Sequence, residues 1–249
     1  MELLVSDQPS TQSDAVGWLS DLPEGLRTVG SAVQGGFEGY ARILHPAQVG
    51  SRAATWAEIA AWSGRRLSAD SDSQQLMVRD DGARWDEQHG HGCPEEGPAG
   101  LGETGLRRLY ELLAEATDTS DHLWLLLDVV EYSLPMMTGG YTPDREGSRA
   151  PSRTADRRLR LQQELEQPCG VSVAGDRFIL HRGALAATGG RWMQFPSYWW
   201  PQDRSWLVYT HMDCASTYVA GHRLVERLLD DDLLEVVEAQ VDHPFDGRS

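Results

Sequence analysis

The chain has 249 residues, of which 40% are hydrophobic and 24% charged, and it contains nine tryptophans. This composition supplies enough apolar surface for a folded core and excludes a disordered protein. Thirty-eight acidic residues against 22 basic ones give a formal charge of -16, which disfavours nucleic-acid binding because such a surface repels phosphate backbones.

All 22 basic residues are arginine, since the sequence contains no lysine. The absence of lysine excludes a Schiff base, a P-loop phosphate site and kinase-type ATP binding, because each of them needs a lysine amine. Three cysteines, Cys93, Cys169 and Cys214, lack paired spacing and predict free thiols in a reducing compartment. With no run long enough to span a membrane and no signal peptide, we expect a cytoplasmic protein.

The first third of the chain predicts a tail, a strand and a helix. Residues 1–15 are polar and predict a loose N-terminal tail. Aromatic and aliphatic residues over 37–44 favour a strand. Thr55 and Glu58 form the pattern of a capping box, which predicts a helix that starts after Thr55 and ends at Gly64.

The middle of the chain alternates polar segments with apolar ones. Residues 68–100 are rich in Ser, Asp, Gly and Pro and are expected at the surface, with one short strand over 76–79. Helical spacing then appears at Leu106, Leu109, Tyr110 and Leu113. Residues 122–130 form a nearly continuous apolar run, which predicts a buried central strand. Residues 142–168 are charged and polar, and predict an exposed insertion or linker.

The last third is predicted to be rich in strands. Residues 171–181 favour a hairpin, residues 206–212 alternate as a half-buried strand does, and residues 234–241 fit a final strand. Between these strands, residues 221–229 form an amphipathic helical pattern. Together the elements predict a single α+β domain over residues 1–249, with a mixed or mostly antiparallel sheet and helices packed against it.

Residues 100–105 match the glycine pattern of a dinucleotide-binding turn and open a helix. That turn needs a buried strand directly before it, and the Gly- and Pro-rich residues 92–98 do not fit a strand. Glu103 would also place a carboxylate beside the phosphates. We therefore interpret this stretch as a flexible segment that leads into a helix.

His89, His91 and Cys93 are candidate zinc ligands, because residues two apart point to the same side of an extended segment and imidazole and thiolate suit zinc. An acid such as Asp86 or Glu87 would polarise a metal-bound water in a hydrolase. The opposing interpretation is a solvated polar loop, since no second pair of ligands has a recognisable spacing. The sequence favours a protein without a cofactor, with zinc as the alternative.

His211 and Asp213 take alternate positions at the end of the predicted strand over 206–212. They fit either an acid/base pair or the polar outward face of a half-buried strand, and the second interpretation is favoured. The sequence has no Gly-x-Ser-x-Gly elbow, so a serine hydrolase is not expected.

Residues 198–206, the aromatic motif, place four aromatic side chains and an Asp-Arg pair within nine residues. If the rings are exposed, they and the arginine fit a site that stacks a planar ligand or anchors a protein partner. If they are buried, they fill the core beside the strand that follows. The core interpretation is favoured, because large aromatic residues dominate core burial.

The residues over 199–206 and 213–221 resemble a family of uncharacterised soluble proteins from high-GC bacteria. Members of that family carry a Trp-Trp-Pro-x-Asp-Arg-x-Trp signature, then a strand, then Asp-x-x-Ser-Thr-x-Val-x-Gly. Weaker similarity covers residues 42–47, 56–64 and 118–130. The resemblance implies a soluble protein and no particular activity. His211 stands where relatives tend to carry an acid, which weakens a carboxylate pair there.

These features favour a non-catalytic cytoplasmic interaction protein, immunity-like or regulatory, whose acidic surface holds a basic protein partner. The candidate binding residues are Trp199, Trp200, Arg204 and Trp206. The alternative function is a metal-dependent hydrolase that uses the three candidate zinc ligands. The sequence does not decide whether the protein is an enzyme or what its oligomeric state is.

Overall fold

The computed structural model describes residues 14–49, 52–89, 98–128, 170–185, 196–211 and 213–247. The strands in this part of the chain are β1 Tyr40–Leu44, β2 Ala47–Val49, β3 Arg52–Ala54, β4 Leu123–Asp128, β5 Gly170–Val173, β6 Asp176–Gly183, β7 Tyr198–Pro201, β8 Leu207–Thr210, β9 Ser216–Ala220 and β10 Glu235–Ala239. The α-helices are α1 Val29–Val33, α2 Trp56–Ser63, α3 Ser73–Leu76, α4 Trp85–His89, α5 Gly102–Glu115 and α6 His222–Leu229.

Eight strands form one sheet in the order β10-β1-β9-β8-β7-β4-β6-β5, and every pairing within it is antiparallel. Strands β2 and β3 form a separate two-stranded pair. The prediction of a mixed or mostly antiparallel sheet with helices is therefore confirmed in its antiparallel form, and the architecture is roughly α+β but mostly sheet.

Both faces of the sheet are covered. One face packs against residues 15–33 and the C-terminal 3₁₀ turn Phe245–Gly247, and the other packs against α5 and α6. A smaller cluster of apolar side chains lies under α2 and α3. Because the central strands are covered on both sides, β1, β7, β8 and β9 are buried at every residue.

The helix predicted after Thr55 is confirmed, and its capping box is formed. The Glu58 N–H donates to the Thr55 hydroxyl at 3.2 Å, and the Thr55 N–H donates to the Glu58 carboxylate at 3.0 Å. Gly64 ends the helix in a left-handed conformation with a φ of 75°. The predicted apolar stripe on α5 is also present, since Leu109 and Leu113 are buried.

Two predicted strands differ from the structure. The short strand over 76–79 is wrong, because Asp72 caps α3 and Leu76 is the last residue of that helix. The half-buried strand over 206–212 is shorter than predicted and buried on both faces, because β8 lies between β7 and β9 in the sheet interior. Strands β7 and β9 were not predicted at all.

The predicted hairpin over 171–181 is confirmed as β5 and β6, and the predicted central strand over 122–130 is β4. The insertion over 142–168 and most of the tail over 1–15 lie outside the described residues. Within the described part of the chain, no helix has both the length and the apolar character needed to cross a membrane.

Candidate functional site

The three tryptophans of the aromatic motif are buried. Trp199 is 5% exposed, Trp200 1% and Trp206 0%. Trp199 and Trp206 belong to the core on the α5 side, whereas Trp200 belongs to the opposite core, because neighbouring residues of a strand point to opposite faces. This burial matches the core interpretation favoured for the motif, and a binding role for these rings stays a prediction.

Trp206 is held by a hydrogen bond and by a close backbone approach. Its indole N–H donates to the Leu113 carbonyl oxygen of α5 at 3.1 Å. A Cβ atom on Gly221 would lie 2.9 Å from the Trp206 Cβ and 2.8 Å from the Ser205 carbonyl oxygen, and the φ of Gly221 is +144°. Only glycine fits there. The segments 199–206 and 213–221 therefore meet at this contact.

Asp203 fastens the turn between β7 and β8 to the loop after α5. Its carboxylate accepts hydrogen bonds from the Thr117 hydroxyl at 2.6 Å, the Asp118 N–H at 3.1 Å and the Ser205 N–H at 3.0 Å. Burial disfavours the charged carboxylate, but these hydrogen bonds outweigh it and lower the pKa of Asp203. The aspartate of the motif thus has a structural role.

Arg204 is the one candidate binding residue of the motif whose side chain is exposed. Its guanidinium lies 5.2 Å from the ring centre of Trp18 and donates to the Asp14 carbonyl oxygen at 3.2 Å. The Trp18 ring in turn packs edge-on against Trp200, with the ring centres 5.8 Å apart. The Arg204 side chain therefore lies against the N-terminal segment. A ligand that stacks on the Arg204 guanidinium would first have to displace that group from Trp18.

The candidate metal ligands fall mostly outside the described residues. His89 is the last residue of α4, and His91 and Cys93 are not described. Asp86, the proposed water-polarising acid, forms a two-pronged ion pair with Arg84, whose hydrogen bonds lower the pKa of that carboxyl. Zinc binding stays a prediction, which native mass spectrometry with and without a chelator tests through a zinc mass that chelation removes.

The described residues contain no group of three or more His, Cys, Asp or Glu side chains placed to hold a metal ion. The glycine pattern over 100–105 begins within a 3₁₀ turn at Pro98–Leu101 and continues into α5, whose first turn contains Glu103. Glu103 pairs there with Arg107 at 2.9 Å. This geometry agrees with a segment that leads into a helix.

His211 and Asp213 lie in the loop between β8 and β9, beyond the end of the strand. The His211 Nδ1 atom accepts a hydrogen bond from the Asp213 N–H at 3.1 Å and lies 3.9 Å from the Asp213 carboxylate. The Asp213 side chain is exposed, and that of His211 is half-buried. The pair thus stabilises a local turn, and its geometry does not set up a proton transfer between the two side chains.

The sequence patterns did not predict a buried arginine on β1, the strand next to the sheet edge. Arg42 is 2% exposed, and its guanidinium pairs with Asp246 at 2.7 Å and donates to the Ser216 hydroxyl at 2.9 Å. It also donates to the carbonyl oxygens of Ala69 and Ser71. Arg42 therefore ties the C-terminal turn and the loop before α3 to β1. In the sequence, Arg42 is marked only as the single charged residue within the otherwise apolar strand β1.

The exposed side chains between 226 and 242 lie along one segment of the chain, from α6 through β10, and we call this segment the acidic C-terminal surface. Among the described residues, every large apolar side chain that is exposed lies on it: Leu229 at 41%, Leu233 at 66% and Val241 at 41%. The exposed acids on it are Glu226, Asp230, Asp232, Glu238 and Asp242. Its single arginine, Arg227, pairs with Glu115 of α5. The surface thus combines exposed apolar groups with an excess of negative charge.

Asp231 fixes the turn that exposes Leu233. Its carboxylate accepts a hydrogen bond from the Arg108 Nε at 2.6 Å, and it also accepts from the N–H groups of Leu233 and Leu234 at 3.0 and 3.1 Å. Leu234 is buried, whereas Leu233 projects outward. The exposure of Leu233 therefore results from a well-anchored turn.

No protein-family model matches the chain, and no curated protein or solved structure matches it either.

Proposed function

We propose that this protein is a non-catalytic interaction protein, immunity-like or regulatory, whose acidic C-terminal surface holds a basic protein partner. The observation that carries the proposal is the exposure of Leu229, Leu233 and Val241 along a segment that also exposes five acids. Exposed apolar groups supply affinity when a partner covers them, and the surrounding acids select a partner of opposite charge.

The energetics of Leu233 support this assignment. Covering an exposed leucine removes apolar area from water at roughly 25 cal/mol per Å², so full burial of this side chain contributes about 1 to 2 kcal/mol. Because Asp231 anchors the turn, little conformational entropy is lost when a partner covers Leu233. A chain of formal charge -16 also attracts a basic protein over a long range at low ionic strength.

The proposal rests on this surface and not on the aromatic motif, whose indoles are buried. Arg204 carries a positive charge and already stacks on Trp18, so it does not favour a basic partner. The net charge favours a basic partner, and the acidic C-terminal surface favours the same kind of partner.

The test is affinity capture from a lysate of the organism that encodes the protein, at about 0.1 M and about 1 M salt. The expected result is a basic protein that is retained at low salt, released at high salt, and bound again after purification. The proposal would be overturned if no basic protein is retained at low salt.

A matched pair of variants locates the contact. Asp230→Asn with Asp232→Asn removes two charges from the surface, whereas Asp21→Asn with Glu24→Gln removes two exposed charges elsewhere. Glu24 lies beside Gly175 in the β5–β6 turn, at the opposite edge of the sheet. We expect the first pair to weaken binding about two- to tenfold and the second pair to have little effect.

A further inference from the structure

Strand β10 is an edge of the eight-stranded sheet, and it pairs only with β1 among the described strands. The direction in which its backbone N–H and C=O groups point follows from the pairing of β1 with β9. The Gly221 N–H donates to the Gly39 carbonyl oxygen at 2.9 Å, and the His45 N–H donates to the Ala215 carbonyl oxygen at 3.0 Å. Odd-numbered residues of β1 therefore direct their backbone groups toward β9, and even-numbered residues direct theirs toward β10.

The even-numbered residues of β1 face Glu235, Val237 and Ala239. These three residues use their N–H and C=O groups in the ladder with β1, so Val236 and Glu238 direct theirs outward. No group among the described residues hydrogen-bonds to the outward backbone groups of Val236 and Glu238. Two residues of β10 thus offer two donors and two acceptors at the sheet edge.

Local contacts limit the open edge at both ends. The Leu234 N–H donates to the Asp231 carboxylate, and the Gln240 N–H donates to the His243 Nδ1 atom at 3.2 Å. Between these points an open groove of about 500 Å³ lies between residues 66–70 and the strand. Val237, Glu238 and His243 line one side of the groove, and His243 lies 3.4 Å from Asp70 on the other side, so open space adjoins β10 at Val237 and Glu238.

We propose that β10 accepts an extended basic segment of the partner as a ninth strand of the sheet. Strand addition uses backbone hydrogen bonds for affinity and alternate side chains for specificity, and Val236 and Glu238 offer the groups that it needs. The inference rests on the proposed function, since it names the segment of the basic partner that would bind and the place where it binds.

Charge selects a basic segment over a second copy of this chain. Glu238 is exposed on the edge, and Asp232 and Asp242 are exposed beyond its two ends. Pairing β10 with β10 of a second copy would bring these acids together, whereas a segment that alternates basic and apolar residues would neutralise them. Among the residues that line the groove, the charge of Arg66 is opposed by those of Asp70 and Glu238.

The first test titrates the full chain with a labelled nine-residue peptide that alternates arginine with valine and carries one central threonine. The control peptide has the same side chains, but its central backbone nitrogens are methylated, so it keeps the charge and loses donors. We expect the unmethylated peptide to bind about tenfold more tightly. Equal, salt-dependent affinities would overturn strand addition while leaving the proposed function intact, and no binding of either peptide would count against both.

The second test uses a variant that closes the edge without breaking the sheet. Glu238→Pro removes an outward N–H and leaves the bonds to β1, because those come from the neighbouring residues, and Glu238→Gln removes only the charge. We expect the proline variant to lose about tenfold more affinity for the peptide than the glutamine variant. Equal losses in the two variants would contradict the proposal.

Hydrogen exchange on the unmodified chain gives a reading that does not depend on how the proline variant folds. Bound peptide should slow exchange of the outward amides of Val236 and Glu238 more than that of amides elsewhere on the acidic C-terminal surface. Protection confined to α6 would place the peptide elsewhere and overturn the proposal. A dimer that dissociates in Glu238→Pro would instead assign the edge to a second copy.

Discussion

The aromatic motif and the acidic C-terminal surface contrast in how sequence composition relates to exposure. The motif has the most unusual composition of the chain, and its three indoles are at most 5% exposed. The C-terminal segment has the sequence pattern of an ordinary helix and strand, yet Leu233 within it is 66% exposed. Dense aromatic residues here mark the interior, and isolated leucines among acids mark the accessible surface.

The physical reason is the area that each side chain must remove from water. An exposed indole would leave far more apolar surface in water than an exposed leucine, so the sheet places the tryptophans on its two covered faces. An exposed leucine leaves less apolar area in water, and the hydrogen bond from the Leu233 N–H to Asp231 stabilises the backbone that holds it there. The two regions therefore differ sharply in what a substitution should do.

Truncating Trp206 should have the largest effect on stability. Trp206→Ala removes a fully buried indole and its hydrogen bond to the Leu113 carbonyl oxygen, so we expect a loss of about 3 to 5 kcal/mol in the free energy of unfolding. Denaturant titration measures it. Trp206→Phe keeps much of the buried area and should cost less. A loss below about 1 kcal/mol for the alanine variant would contradict the core role of the motif.

Removing Arg42 should come next, and it tests how the C-terminal turn is attached to the sheet. Arg42→Met leaves the buried carboxylate of Asp246 without its ion-pair partner, so we expect a loss of about 3 kcal/mol. The double variant Arg42→Met with Asp246→Asn removes the buried negative charge, keeps a residue type that tolerates the φ of 55° at this position, and should recover part of that loss. A double variant less stable than Arg42→Met would mean that Asp246 contributes mainly through its other contacts.

The pH dependence of stability should have opposite signs for Asp203 of the aromatic motif and for Glu235 of β10. The pKa of Asp203 lies below its usual 3.8, so its stabilisation is present at neutral pH and is lost as pH falls through the lowered value. Burial raises the pKa of Glu235 above its usual 4.5, although the carboxylate accepts hydrogen bonds from the N–H groups of Trp56 and Ala57. Its contribution is therefore greatest below pH 4.5 and declines as pH rises through the raised value.

Comparison of the wild type with Asp203→Asn and with Glu235→Gln isolates the contribution of each carboxyl group to the free energy of unfolding. The advantage of the wild type over Asp203→Asn should be about 1 kcal/mol at neutral pH and should shrink in acid. The advantage over Glu235→Gln should instead shrink as pH rises from 4 to 7, a smaller effect for which we predict only the direction. Unfolding curves collected across this pH range measure both, and two differences that change in the same direction would contradict the assignment.

The sequence predicted the elements whose signals are local. The capping box of Thr55 and Glu58 lies within four residues, and the apolar stripe on α5 lies within one helix, so neither depends on distant contacts. In strand β9, Thr217, Tyr218 and Val219 favour a strand locally. Ser216 at its start is polar and is buried by distant residues, since its hydroxyl lies against Arg42 and Asp246. The burial of this strand therefore comes from tertiary contacts.

The candidate site was less predictable for a related reason. The exposure of Leu233 depends on Asp231, whose side chain reaches Arg108 on a helix more than a hundred residues earlier. The open edge at β10 depends on the strand order, which places β10 last in the sheet. Both properties arise from tertiary contacts, whereas the composition of the aromatic motif drew attention to a segment that is interior.

The smallest expected change in stability is at Leu233, and it completes the contrast with Trp206. Leu233→Ser should change the free energy of unfolding by less than about 0.5 kcal/mol, because the side chain is already in water and the Asp231 bonds use only the backbone N–H. The same variant should weaken binding of the basic partner about five- to tenfold, since the partner loses an apolar contact. Leu234→Ser is the control, because Leu234 is buried and its substitution should destabilise the fold. Unchanged affinity for the partner in Leu233→Ser would remove this leucine from the interface.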